Sequence, residues 1–391
     1  MNLNEAKQVI VSTHLAAINL NQRAQGYHMV SPPGIGKSDV AEQSVRTLAK
    51  ELDRPVGLVV FMMATIGGAD VRGFMFPFKD GQGVLQTTFS TPPWYPTRAN
   101  MIVYEPDGTR HAEGEWTGDV PDVGVLFLDE FSQAEDEVKK PAAELVYKGH
   151  VGNCHLPLGW RVLSAGNRMN DKSGVVRELM FIVNRRGLLT IDANLPTWTN
   201  WANSQNDANR PHYLTLSFAQ KNPDIVFRDS VPDGYDPYCT PRTLCLMDRD
   251  LRSLRSAEDI RTGRLPLDPV AREVAAGWIG KGAAAQFYTH LKYADELPDI
   301  ADIIKDPSTA KVPAARDAQM VAAYMLAHNI DIKNADSIMA YTERMQIEMQ
   351  VLAVRAMTSA DDGKRGAALV NTARFGQWLM RHKTLLVQSR S

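Results

Sequence analysis

The chain has 391 residues, 43 Lys and Arg against 45 Asp and Glu, and a net charge of -2. With 44% hydrophobic and 23% charged residues, it is not collagen-like, disordered or a coiled coil. The length suits two or three folding units, and the charge balance gives no global basic field for nucleic acid or membranes.

Cys154, Cys239 and Cys245 are too few for a disulfide framework and fit no zinc spacing. Cys154-His155 alone is half a metal site at most. No apolar run approaches the ~20 residues of a membrane span. The opening Met1-Asn2-Leu3-Asn4-Glu5 lacks a basic and then apolar leader. The expectation is a soluble, cytoplasmic protein in a reducing compartment.

Residues 3–20 predict an amphipathic helix, with Ala6, Val9, Ile10 and Ala17 at helical spacing and Asn4 as a candidate cap. A strand, Tyr27–Val30, follows, and then a helix from Lys37 to about Leu52. Pro55–Ala64 and Gly124–Leu128 are near-continuous apolar runs. Arg161–Ala165 and Gly187–Ile191 are shorter. Strands covered on both faces read this way. Glu135–Lys148 is helical, with Pro141 predicting a kink or a later start. Alternating strand and helix predicts a three-layer α/β domain with a parallel sheet.

Residues 67–122 break that alternation with Gly, Pro and aromatic residues. A turn at Glu105–Gly108 can close a hairpin after Met101–Tyr104. Phe74, Phe76 and Phe78 read as packing of this insertion in preference to a gripping loop in a ring pore. From about residue 205 helical spacing dominates, and the Ile338, Met345, Met349 and Leu352 stripe reads as core. The expected domains are residues 1–204, with the insertion, and a helical region 205–391. The polar Asn203–Arg210 stretch is a candidate hinge.

Ser31-Pro32-Pro33-Gly34-Ile35-Gly36-Lys37-Ser38 lies between a predicted strand and helix. It fits the phosphate-loop pattern Gly-x-x-x-x-Gly-Lys-Ser/Thr except at its opening, where Ser31 replaces glycine. Gly34 and Gly36 let the backbone amides curl toward phosphate oxygens. Pro33, Gly34, Ile35, Gly36, Lys37, Ser38 and Asp39 are the expected nucleotide-contacting stretch. Lys37 would reach the β- and γ-phosphates of ATP, and Ser38 would ligate Mg²⁺.

The run Val125–Leu128 ends in Asp129 and Glu130. Asp129 is the expected second Mg²⁺ residue, and Glu130 the base that polarises an attacking water. Asn167, at the end of the next strand, is placed to bond that water or the γ-phosphate. Arg185 or Arg186 is either a finger on a neighbouring subunit's γ-phosphate or a solvated basic pair.

Together these stretches resemble the AAA+ ATPases and, within them, the MoxR family. The matches are residues 31–38, 125–131, 165–167 and 183–186, with Thr240-Pro241-Arg242 resembling the sensor-2 entry of a helical lid. Residues 69–73, 198–202 and 278–307 look like a MoxR-like subgroup of bacterial and phage genomes. The resemblance implies a P-loop AAA+ core followed by an all-helical C-terminal lid domain. It makes Asn167 sensor 1, Arg185 the trans finger with Arg186 as alternate, and Arg242 sensor 2. It also implies a homo-hexamer with chaperone-like action, beside a partner bearing a von Willebrand factor A domain. A nucleic-acid motor or loader is the alternative, with Arg98, Arg110 and His111 near Trp94 and Tyr95 as its only hint. A slow, nucleotide-gated scaffold is a third reading.

Overall fold

The computed structural model describes residues 1–171, 180–360, 363 and 365–388. The chain forms two compact units. One comprises residues 1–193 with 229–231, and the other residues 194–228 with 232–391.

In the first unit, helix α1 (Leu3–Asn19) is capped by Asn2 and not by Asn4. Asn2 Oδ1 accepts the Glu5 N–H at 2.9 Å, and Glu5 Oε2 accepts the Asn2 N–H at 2.9 Å. This reciprocal pair satisfies two donors that an isolated helix end leaves open. Strand β1 (Tyr27–Ser31) leads into α2 (Lys37–Leu52), and β2 (Val56–Met62) follows.

The insertion contains α3 (Gly68–Arg72), β3 (Met75–Lys79), β4 (Leu85–Phe89), β5 (Ile102–Tyr104) and β6 (Arg110–His111). β5 and β6 form the expected hairpin across the Glu105–Gly108 turn. β3 and β4 pair as a separate two-stranded ribbon. Phe74, Phe76 and Phe78 are exposed on it, which corrects the expectation that they pack the insertion. A lone ribbon has no second layer to bury either face.

The chain continues through β7 (Val123–Asp129), α4 (Asp136–Lys148), the small hairpin β8 (His150–Val151) and β9 (Cys154–His155), β10 (Gly159–Asn167), α5 (Met180–Val183) and β11 (Gly187–Thr190). α4 keeps Pro141 inside its span, so the later start predicted from that proline does not occur.

The main sheet runs β11-β1-β10-β7-β2-β5-β6. The first five strands are mutually parallel, and β5 and β6 add an antiparallel edge. Alternate residues of β7 enter two separate cores. Val125 and Phe127 join Ile10, Val40 and Val45 on one face, while Leu126 and Leu128 join Val138, Leu145 and Trp160 on the other. Helices therefore cover both faces, giving the expected three-layer α/β architecture. Buried Arg161 ties α1 to the sheet, donating to the Ile10 carbonyl at 2.7 Å and to Gln25 O at 2.8 Å.

The described residues of the second unit form helices joined by loops, with no strand among them. It begins with α6 (Leu195–Ser204), which starts on the Asn194 cap. It continues through α7 (Tyr213–Lys221), α8 (Pro223–Val226) and α9 (Pro241–Ser253). The polar Asn203–Arg210 stretch lies inside this unit and is no hinge at its border, because Asn203 and Arg210 are both buried. Ile338 and Met349, on two successive helices, and Met345, in the turn between them, are buried in its core. No described helix is long and apolar enough to cross a membrane.

Candidate active site

After β1 the chain crosses the sheet one way, to β2. After β10 it crosses the other way, to β11. The crevice outside the C-terminal ends of such strands is where α/β sheets hold ligands. Strand register brings the expected residues there. Ser31 lies opposite Asn167, and Asp129 ends β7 opposite Met62.

The loop between β1 and α2 turns on glycine. Gly34 has φ of 76° and Gly36 of 102°, left-handed values that a side chain disfavours. A Cβ on Gly36 would also lie 3.1 Å from Asp39 Oδ2. No side-chain bond caps α2 at Gly36, so its first amides face the loop. Pro33 and Ile35 complete the curl. The Asp39 carboxylate folds back over Gly36, so only the backbone N–H of that residue suits an anion.

Lys37 is buried, and its Nζ is held by four oxygens. These are Ser31 O at 3.3 Å, Ser31 Oγ at 2.9 Å, Pro32 O at 3.1 Å and Asn167 Oδ1 at 2.8 Å. Ser31, the departure from the glycine pattern, thus supplies a hydroxyl that holds the lysine. Ser38 Oγ donates to Asp129 Oδ2 at 2.7 Å. A hydroxyl and a carboxylate this close are hard oxygen donors that suit Mg²⁺.

Asp129 Oδ1 accepts the Glu130 N–H at 2.9 Å. Glu130 itself sits at φ 55° and ψ 30°, one of three non-glycine residues with positive φ among those described. The left-handed turn ends the strand abruptly and carries the Glu130 side chain away from the β7 pleat.

Several residues that sequence reasoning missed grip the turn that follows. Lys139 Nζ, fully buried, donates to Ser132 O at 3.0 Å. His28 Nδ1 lies 2.9 Å from Ser164 Oγ, and its Nε2 lies 3.4 Å from Ser132 Oγ. Burial holds the His28 pKa well below its ordinary value, and the charges of Arg186, Lys37 and Lys139 reinforce the shift. Gly166 makes the close approach possible, because a Cβ there would lie 1.8 Å from Ser132 Oγ. The one sequence signal was a set of polar residues, His28 and Ser164, inside strands that otherwise read as buried.

The two arginines part company. Arg185 is exposed, with its guanidinium 5.3 Å from the Phe181 ring centre and 5.7 Å from that of Tyr147. Arg186 is half-buried, 4.6 Å over the Phe131 ring, and donates to Ser164 Oγ at 3.3 Å. Arg242 is exposed in the first turn of α9, in the second unit. The structure thus brings Lys37, Ser38, Asp129, Glu130 and Asn167 together and keeps Arg242 on a separate compact unit.

No protein-family profile matches the chain, and no curated protein matches it. Among solved structures it is similar to a RuvB mutant from Thermotoga maritima. The match has 14% identity, covers 77% of this chain and 74% of that one, and has a TM-score of 0.35. A second RuvB mutant matches at 12% identity over the same shares, with a TM-score of 0.34. NtrX from Brucella abortus matches at 12% identity over 98% of this chain and 67% of that one, with a TM-score of 0.29. Likenesses of this size carry no weight on function, which rests on the residues themselves.

Proposed function

We propose that the chain is a Mg²⁺-dependent ATPase of the AAA+ kind that works as a ring and remodels or activates a protein partner. The observation that carries this reading is a pair of hydrogen bonds across the sheet's C-terminal edge. Lys37 reaches Asn167 at 2.8 Å, and Ser38 reaches Asp129 at 2.7 Å. They join the phosphate-loop half of the site to its carboxylate half.

Residues 33–39 would hold the triphosphate of ATP through their amides and Lys37. Ser38 and Asp129 would hold Mg²⁺. Bound there, the metal supplies charge neutralisation at the β- and γ-phosphates. Glu130 takes the proton of an attacking water, and Asn167 orients that water. A water-activating carboxylate suits hydrolysis and is superfluous in a kinase, whose acceptor is a substrate hydroxyl.

Arg185 supports the ring reading. An exposed arginine pointing away from its own core can neutralise charge in a neighbour's site. In the MoxR-like reading the ring is a hexamer, Arg242 is sensor 2, and a von Willebrand factor A protein is the candidate partner. The net charge of -2 and the exposed aromatics of the β3–β4 ribbon suit a protein client in the cytoplasm better than a polyanion.

Mixing experiments test the shared site. Arg185→Ala subunits keep their own loop, and Lys37→Ala subunits keep their own arginine. Each alone should be silent. Mixed equally, about a quarter of sites should pair a working loop with a working arginine, and ATP turnover should return to about that level. Silence in the mixture, with assembly intact, rejects the shared site. Turnover stimulated by DNA and not by protein would point to a nucleic-acid motor.

A further inference from the structure

Arg186 adjoins the exposed Arg185, yet it is half-buried and has different partners. Its guanidinium stacks 4.6 Å over the Phe131 ring. Phe131 and Ser132 directly follow Glu130. Phe131 also meets the His28 ring edge-on, with centroids 5.8 Å apart. Arg186 also donates to Ser164 Oγ at 3.3 Å. That hydroxyl lies 2.9 Å from His28 Nδ1, and His28 Nε2 lies 3.4 Å from Ser132 Oγ. The network therefore closes on the two residues after Glu130 and on the strand that ends in Asn167. A cation over a ring face and a chain of hydrogen bonds in a buried setting are both directional, so they fix positions as well as add stability.

We infer that Arg186 is a positioning residue of its own subunit's site, setting Glu130 through Phe131 while the adjacent Arg185 serves the neighbour. One dipeptide then ties the group offered in trans to the base used in cis. This inference rests on the ATPase reading above. The left-handed backbone of Glu130 gives the link its purpose. A carboxylate on a disfavoured turn keeps its place only if the following residues are held. Lys139 grips Ser132 through its carbonyl, and Arg186 grips Phe131 through its ring.

Complementation separates a cis role from a trans role. A trans finger lost from one subunit is supplied by a Lys37→Ala neighbour, so an Arg185→Ala mixture recovers. A cis positioning residue cannot be lent, so mixing Arg186→Ala with Lys37→Ala should bring no gain over the residual turnover of Arg186→Ala itself. Alone, Arg186→Ala should lower kcat about tenfold to a hundredfold, the size expected for a slightly misplaced base. KM for ATP should stay unchanged, because the phosphate loop is untouched. Phe131→Leu should reproduce the loss, and adding it to Arg186→Ala should cost little more. Phe131→Tyr, which keeps the ring face, should retain turnover. If Arg186→Ala is rescued by Lys37→Ala, the residue acts in trans and the inference fails while the ATPase reading stands. If the wild-type protein does not hydrolyse Mg-ATP, the ATPase reading itself fails. Equal thermal midpoints of wild type and Phe131→Tyr, with turnover lost in the latter, would also overturn the stacking role.

Discussion

Glu130 is held in a backbone conformation that side chains avoid, at φ 55°. For a residue with a Cβ, the left-handed region costs roughly 1 kcal/mol or more. Such outliers gather where a side chain must be aimed, and here the aimed group is the proposed base. The strain can be separated from the chemistry. Glu130→Gly should remove the carboxylate and the strain together, raising the thermal midpoint by about 2–4 °C over Glu130→Ala, which keeps the strain. Both should lose turnover. Calorimetry of the two variants checks this, and equal midpoints would mean that the turn stores no strain. At the same scale, the phosphate loop was legible in the sequence because glycine is irreplaceable at Gly34 and Gly36. His28 was not, because one polar residue in an apolar strand carries no pattern until its partners, Ser132 and Ser164, are placed beside it.

Strand β10 and the turn after β7 are packed so tightly that Gly166 has no room for a side chain. Its Cβ would lie 1.8 Å from Ser132 Oγ and 2.6 Å from Ser132 Cβ. Gly166→Ala should therefore destabilise the protein by about 1–3 kcal/mol, and turnover should fall further than ATP binding because the turn carries Glu130. Ser132→Gly, added to it, should restore part of both. Wild-type melting and turnover in Gly166→Ala would show that strand and turn do not touch. Of the five parallel strands, β7 and β10 are buried along nearly their whole length, which is why they read as apolar runs, while the edge strand β11 buries only Leu189 and reads less clearly. The order of the strands in the sheet was not legible, since it depends on crossovers. The β3–β4 ribbon was misread as packed, because exposed aromatics such as Phe76 look like core in a composition count. The Asn203–Arg210 stretch looked like a hinge because of its polar side chains. Its two ends, Asn203 and Arg210, are buried, and that depends on distant partners, as when Arg210 donates to the Ala327 carbonyl at 3.2 Å.

Across the whole molecule, buried histidines set the response to acid. Burial lowers His14, His290 and His328 from 6.5 to about 4 and holds His28 and His212 well below 6.5. His14 shows the cause. Its Nε2 bonds Gly159 O at 2.9 Å, while Nδ1 is buried with no hydrogen-bond partner, so a second proton would have nothing to bond. The unfolded chain takes up these protons near 6.5 and the folded chain only well below that, near 4 for His14, His290 and His328, so stability falls as pH falls below 6.5. Asp248, raised by burial, works in the opposite sense, but it stands against five histidines. The thermal midpoint should drop between pH 7 and pH 4.5, and His14→Gln should shallow the drop. A flat or rising midpoint would contradict this balance.

The proposed activity is hydrolysis of Mg-ATP with Glu130 as the base. The most direct measurement is a single-turnover assay of wild type beside Glu130→Gln, with ATP affinity measured on both. Glu130→Gln should bind ATP with wild-type affinity and hydrolyse it about a hundredfold or more slowly. Full-speed hydrolysis by Glu130→Gln, or none by the wild-type protein, would contradict it.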